Sequence, residues 1–412
     1  MVHSPALAQT PLTLEECYQL ALKKSEQISI KEQDIRNAES KYAQAIGAVL
    51  PNVRFKGSEF LQDDSSNPEG AGSVGATLTR FSTPLLTFNA KQPIFQGLRE
   101  FYGLASVRAQ KRATQAQLEH AKRLLFMDVV NAFYTVIQIE QEKQTLMDSQ
   151  KALQERMTEL RERVQLGKSR RSDEINTEAE LAIHQAGLDA INGSLENAKE
   201  ALAFLLDTRA NEVVLQDTFT LPQEILDETA VTHEVEKRPD IRAATETLNS
   251  SKSLLSAQKG EHFPTINAEA NYYPYRVGFL SPVHWDALFT VDFPIFTGGQ
   301  TKSKVQQAKI QMKQAELRLS LQKRQASTEI NNAYNSFVSS QKQVRSFGIA
   351  AVKGKENYNA VAKDYLLGLT NNLEVLGIMM TLEDIRRNYH RSMAQAKINY
   401  FNLKRVSGEK LP

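Results

Sequence analysis

One short phrase, written twice, constrains this chain more than any other feature: Pro93-Ile94-Phe95-x-Gly97 returns 201 residues later as Pro294-Ile295-Phe296-x-Gly298. Each copy follows an alternating apolar and polar run and precedes a long stretch without proline, so each reads as a strand handing over to a helix. The same offset carries Asn131-Ala132-Phe133 onto Asn332-Ala333-Tyr334, and Leu166-Gly167 with Asp173 onto Leu367-Gly368 with Glu374. Upstream, Gly47-x-x-x-Pro51 matches Gly260-x-x-x-Pro264 at an offset of 213, which gives the first copy 12 extra residues. They fall in DDSSNPEGAGSVGAT, a Ser/Gly/Asn-rich loop. A chain built this way folds as two related halves.

Between the strand signals the chain is committed to long helices. Only 13 prolines and 19 glycines occur in 412 residues, and they are bunched. Leu118, Leu125, Ala132, Ile139, Leu146, Leu153 and Leu160 recur every seven residues, the pattern of a left-handed coiled coil. Gly97 to Gly167 should form a helix of roughly 100 Å. Past Gly167, Leu181, Leu188, Leu195 and Leu202 continue the period for roughly 50 Å. Thr13 to Gly47 reads as another half-length helix, opened by a capping box of Thr13 and Glu16. The second copy repeats the scheme around Thr301 to Leu367. The expected divisions are a tail at 1–12, a first repeat at 13–206, a connector at 207–232 with a short β-like run at Val213 to Leu215, and a second repeat at 233–407.

Charge and cysteine usage exclude several classes. Fifty Lys and Arg against 48 Asp and Glu leave a net charge of +2, too little for a general nucleic-acid field. No apolar run reaches the 18 residues that a membrane helix needs, so a membrane role would have to use strands. Ala6-Leu7-Ala8 has the small-x-small form of a signal-peptidase site. Cys17 is alone and sits at helical spacing with Leu14 and Leu20, which makes it a packing thiol.

The strand hairpins, at about 52–95 and 265–296, are split by face. Trp285, Ala287, Phe289, Val291 and Phe293 alternate with Asp286, Leu288, Thr290 and Asp292. Leu86, Phe88 and Ala90 alternate with Thr87, Asn89 and Lys91, and Ile266, Ala268, Ala270 and Tyr272 with Asn267, Glu269 and Asn271. A soluble sheet on a helical core or a lipid-facing barrel would both show this. With the helices engaged in coiled coil, lipid is left to cover the apolar face, and Tyr272, Tyr273, Tyr275, Trp285 and Phe293 cluster near strand ends as an interfacial belt does. Four strands cannot close a barrel, since small ones need about eight, so the chain must oligomerise.

At this point the sequence resembles the TolC-like outer-membrane efflux protein family over nearly its whole length. The resemblance rests on LTLEECYQLALKKSEQI, on the steps AIGAVLPNV and QKGEHFPTI, on the duplicated PIF-x-G, on NAF and NAY, and on the two Leu-Gly hairpin tips. It implies a mainly α fold with a membrane β-barrel portion: a homotrimer whose strands form one outer-membrane barrel, continuous with a coiled-coil α-helical tunnel in the periplasm. It further implies a passive exit duct for small molecules or proteins, partnered by a periplasmic adaptor (membrane fusion protein) and an inner-membrane pump or exporter. Leu166, Gly167, Lys168, Arg170, Arg171, Leu367, Gly368, Leu369 and Thr370 are then the adaptor-docking tips, and Asp173, Glu374 and Tyr365 the pore entrance. Leu86, Phe88, Trp285, Phe289, Val291 and Phe293 face lipid. Where the family usually has Gly-Leu, the first tip reads Gly167-Lys168.

Enzyme signatures are missing: no Walker loop, GxSxG, HExxH or CxxC occurs, and no cofactor or metal site is expected. His184 keeps register with Ile191, Ala198 and Leu205, so packing is its expected role. Gly298-Gly299 is a strand exit rather than a phosphate loop, because its duplicate is Gly97-Leu98. The rival reading is a periplasmic coiled-coil adaptor or scaffold without a pore, which would lack a repeat across the whole chain.

Overall fold

A computed structural model describes residues 11–63, 81–222 and 235–409. Ala6-Leu7-Ala8, nearly all of the Ser/Gly/Asn-rich loop and the end of the expected connector lie outside the described residues. The elements are α1 (Leu14–Lys24), α2 (Glu26–Gly47), β1 (Asn52–Leu61), β2 (Ser82–Gln96), α3 (Arg99–Gln165), α4 (Arg171–Leu206), α5 (Pro239–Lys259), β3 (Thr265–Arg276), β4 (Trp285–Asp292), α6 (Gln300–Leu366) and α7 (Asn372–Val406). The fold is mainly helical with one small sheet. The long helices α3 and α6 have 67 residues each, about 100 Å of helix.

Local chemistry sets the boundaries. Thr13 and Glu16 form the capping box that starts α1. The Thr13 to Gly47 helix is broken at Ser25, whose hydroxyl accepts the Ile28 N–H at 3.3 Å and so restarts the helix as α2. A serine that caps competes with continuing the helix. At the other end of α4, Asp207 takes the left-handed conformation (φ 51°) and stops it.

Two compact units each draw on both repeats. The first holds the described residues up to Lys31, those of Leu118–Ile241, and those from Gln322 on. Its core centres on Phe126, Val129, Val130, Phe133, Tyr134 and Val136 of α3, packed with Cys17, Tyr18 and Ala21 of α1, Leu202 and Leu206 of α4, Ile330 and Phe337 of α6, and Phe401 and Leu403 of α7. Tyr18 and Phe401 meet Phe126 edge-on, at 5.0 and 5.6 Å. Burial, and then the neighbouring Glu16, push the Cys17 thiol up to about 12, so it stays protonated and inert.

Further along the seam, smaller clusters join Leu146 with Leu188 and Ile191, Leu153 with Leu376 and Met379, and Leu160 with Tyr365 and Val375. The heptad positions are thus the packing positions. His184 is buried on this seam, 3.5 Å from a Glu383 oxygen. Glu142 crosses it, its two carboxylate oxygens accepting from Nε and Nη2 of Arg391 at 2.7 and 2.9 Å. Leu12 is held in a parallel bridge with Leu215. Lys397 closes the connector by donating to Asp217 (2.6 Å) and to the Phe219 carbonyl (2.7 Å).

The second unit holds Glu32–Gln117 and Arg242–Leu321, described residues only. It contains an antiparallel sheet in the order β1-β2-β3-β4. The hairpins meet along β2 and β3, which brings the repeats together. Beside that junction the backbones of Gly97 (φ 66°) and Gly260 nearly touch: a Cβ on Gly97 would lie 2.2 Å from the Gly260 carbonyl oxygen, and one on Gly260 would lie 2.4 Å from that of Gly97. Only glycine permits this crossing.

Candidate membrane sheet and helical tips

The strand register sorts every side chain onto one of two faces. Val53, Ala90, Ala270 and Ala287 stand abreast, as do Phe55, Phe88, Tyr272 and Trp285. Ile266, Ala268, Phe289 and Val291 extend the same face. Phe55, Phe88, Tyr272, Trp285, Phe289 and Val291 are all exposed. On β3 the apolar face runs from Ile266 to Tyr275, about ten residues and the length of a tilted membrane strand. Leu86, Phe88, Trp285, Phe289 and Val291 share this face; Phe293 lies just past the end of β4 and is exposed.

The opposite face is a hydrogen-bonded polar ladder. Asn89 donates to Glu269 (2.6 Å) and to Asn271 (2.8 Å), Asn271 donates to Asp286 (2.9 Å), and the Tyr273 hydroxyl donates to Asp286 (2.7 Å). A register shift between Leu86 and Phe88 sets Tyr275 opposite Leu86 and Tyr272 opposite Phe88. The bulge therefore places Tyr272 and Tyr275 together on the apolar face and leaves Tyr273 on the polar one. Simple alternation could not separate the three tyrosines this way.

The two helical tips, in the first unit, are built alike. Gly167 (φ 68°) and Gly368 (φ 75°) are left-handed. The Lys168 N–H reaches the Arg163 carbonyl at 2.8 Å, and the Leu369 N–H reaches that of Asp364 at 2.9 Å. Gly167 and Gly368 donate to Val164 and Tyr365 at 3.0 Å each. These are matched Schellman endings. The next helices start on carboxylates: Asp173 accepts the Arg170 N–H at 3.3 Å, while Asn371 caps Glu374 at 2.9 Å and the Thr370 hydroxyl donates to the Glu374 carboxylate. Both acids complement a helix N-terminus.

The exposed surfaces of the tips differ. Leu166 precedes Lys168, Arg170 and Arg171, whose cationic side-chain groups form no ion pair among the described residues, whereas the second tip exposes Leu367 and Leu369. Tyr365 is buried. Its ring lies under the guanidinium groups of Arg156 (4.2 Å) and Arg163 (5.1 Å), and its hydroxyl meets Ser169 at 3.1 Å. Beside it, the fully buried Asn372 accepts from Arg156 at 2.7 Å and donates to Thr177 and to the Asp173 carbonyl. Arg156 and Asn372 clamp the two hairpins together, and sequence reasoning passed over both. The available signal was Asn371-Asn372, two asparagines where one suffices as a cap.

The model of the outer membrane efflux protein family matches residues 17–208 and 232–409. The outer membrane efflux protein BepC of Brucella suis biovar 1 (strain 1330) is 21% identical over 310 residues, which is 74% of this chain and 67% of that protein. Among solved structures, the outer membrane protein VceC of Vibrio cholerae superposes with a TM-score of 0.83, with 17% identity and 96% of each chain covered. CusC, which forms a transmembrane channel, gives 0.82 at 17% identity over 96% of this chain and 92% of that one. With its repeated helices, its sheet of two unlike faces and a family match over most of its length, the chain belongs to the outer membrane efflux protein family.

Proposed function

We propose that this outer-membrane chain is one subunit of a homotrimeric exit duct, in which three four-stranded sheets close into a single barrel continued by a helical tunnel in the periplasm. The observation that carries the reading is the sheet itself. Among the described residues its apolar face is bare, its polar face is internally hydrogen-bonded, and β1 and β4 are each paired on one side only. Lipid suits the first face, a wet lumen the second, and further copies the open edges. Three is the number that the family implies.

The two repeats, 13–206 and 233–407, and the connector at 207–232 are the units of this design. Both tips serve as the docking surface for a periplasmic adaptor, which joins the duct to an inner-membrane pump or exporter. Asp173 and Glu374 set the charge of the entrance, and Tyr365 holds the hairpins that form it. The test is the mass of the detergent-extracted protein by light scattering, followed by conductance in planar bilayers. A trimer with discrete channels is expected, and Glu374→Gln should lower its cation selectivity. A monomer without conductance would favour the adaptor or scaffold reading.

A further inference from the structure

The polar face of the sheet sorts its charges by hairpin. On β1 and β2 the charged side chains of this face are Arg54, Lys56 and Lys91, all basic. On β3 and β4 they are Glu269, Asp286 and Asp292, all acidic. Glu59 of β1 stands on the other face, opposite Pro84. Arg276, at the end of β3, is the exception, and it is held over the Tyr273 ring at 4.5 Å. The duplication did not carry this pattern across: by the offsets of 213 and 201, Lys56 and Lys91 correspond to Glu269 and Asp292. A face of uniform sign needed only the same residues twice.

The hydrogen bonds run in the same sense. Arg54, Asn89, Asn271 and Asp286 stand abreast. Asn89 donates to Asn271 and Asn271 donates to Asp286, so both amides turn their N–H toward the acidic hairpin. In the neighbouring row Asn52, Lys91, Glu269 and Leu288 stand abreast, and the sign changes between Lys91 and Glu269. None of the six charged groups forms an ion pair among the described residues. Arg54, Lys56, Lys91 and Asp292 are exposed. A hairpin is about 10 Å wide, and the screening length at physiological salt is about 8 Å. The two potentials therefore do not average out across the face.

We infer that the sheet lines the lumen with a basic and an acidic stripe side by side, so that at one depth the wall attracts solutes of both signs. This section passes anions and cations alike. The sign of the duct's selectivity is then left to other groups, such as Glu374.

The inference rests on the closed-barrel reading, and two single-thiol reporters separate them. Asn52→Cys and Leu288→Cys lie in the same row, three strand spacings or about 14 Å apart, the first beside Lys91 and the second beside Glu269. Cys17 is buried and does not interfere. Each variant, assembled in outer membranes, is treated with an anionic or a cationic methanethiosulfonate. In low salt the anionic reagent should be favoured at position 52 and the cationic one at position 288, with the ratio of the two rates differing about tenfold or more between the sites. At about 1 M salt, where the screening length falls to about 3 Å, the ratios should converge. Arg54→Gln should weaken the preference at position 52 and leave that at position 288 unchanged. In planar bilayers, Arg54→Gln with Lys56→Gln should shift the reversal potential toward cation selectivity and Asp292→Asn toward anion selectivity. One reagent favoured at both sites overturns the stripes and leaves the barrel standing. Discrete channels with both thiols unmodified overturn the lumen assignment of this face. A protein that forms no channels removes the barrel, and the stripes with it.

Discussion

The helices α3 and α6 are equal in length and related in sequence, yet they live in different surroundings. Phe126, Val129, Phe133 and Tyr134 of α3 are wholly buried. On α6, Ile330 and Phe337 are the large side chains buried to that degree among the described residues, while Leu317, Leu321, Ile349 and Val352 face solvent. In the first unit α3 is surrounded by elements of both repeats, and the second repeat has no third to surround α6 in turn. A duplicated chain can satisfy one inter-repeat surface internally, and within the single chain the equivalent surface of the second repeat has no such cover among the described residues. Exposed leucines and isoleucines on α6 are therefore the same kind of surface that α3 has already covered.

Four tests, the first of them on that contrast, follow in falling order of expected effect on the protomer. Phe133→Ala empties a filled core site and should cost about 3–5 kcal/mol, read as a lower urea midpoint in detergent. Ile349→Ser on α6 should change the dissociated protomer by no more than about 0.5 kcal/mol. Equal losses at the two positions would erase the distinction between the helices.

Next comes Phe289→Arg, which puts a guanidinium on the face assigned to lipid and should cost about 2–4 kcal/mol near the bilayer midplane. Thr290→Arg, one residue on, should assemble and alter conductance. The yield in outer-membrane fractions distinguishes them, and equal tolerance would break the two-faced reading of the sheet.

The third is Glu142, which ties α3 to α7. Burial alone would raise its carboxyl, but the bonds from Arg391 and Gln138 and the charges of Arg391 and Arg387 outweigh burial and hold it below its ordinary value of 4.5. A carboxyl depressed by folding contributes stability above its unfolded pKa and loses it as pH falls through the folded one. Glu142→Gln should then cost about 1.5 kcal/mol at pH 7, the low end for charged hydrogen bonds because Arg391 is half-exposed. The gap from the wild type should close as the pH drops below about 4.5. A gap unchanged in acid would assign Glu142 a packing role only.

The smallest effect on stability belongs to the tips. Replacing Lys168, Arg170 and Arg171 together by glutamate should shift the protomer by no more than about 0.5 kcal/mol, since all three are exposed, and should abolish efflux with conductance intact. Leu369→Ala at the second tip should weaken efflux less. Retained efflux in the triple variant would leave the first tip as a solvated turn.

Much of this arrangement was legible because it is periodic or duplicated. Alternation gave the two faces of β4, the heptads gave Leu153 and Leu160 as seam residues, and the repeated Leu-Gly gave two turns of one geometry. What escaped was set by neighbours far away in sequence. The break at Ser25 depends on a hydroxyl choosing a cap over solvent. The tyrosines of β3 are sorted by a bulge that exists only against β2. Tyr365 is enclosed because Arg156 and Arg163 arrive from another helix, and no local pattern announces a cation above a ring.

The order β1-β2-β3-β4 also dictates when the sheet can form. β2 ends at Gln96 and its partner β3 begins at Thr265, so the first hairpin must wait for α3, α4 and α5 to emerge before its inner edge is covered. During that interval a hydrophobic hairpin is available to any passing strand. Loop closure over such a separation is slow, whereas the helical hairpin of α3 and α4 needs only local contacts. Export of this chain therefore has a vulnerable period, and a holding chaperone that binds the stretch from Asn52 to Gln96 would act at the step where aggregation competes with folding.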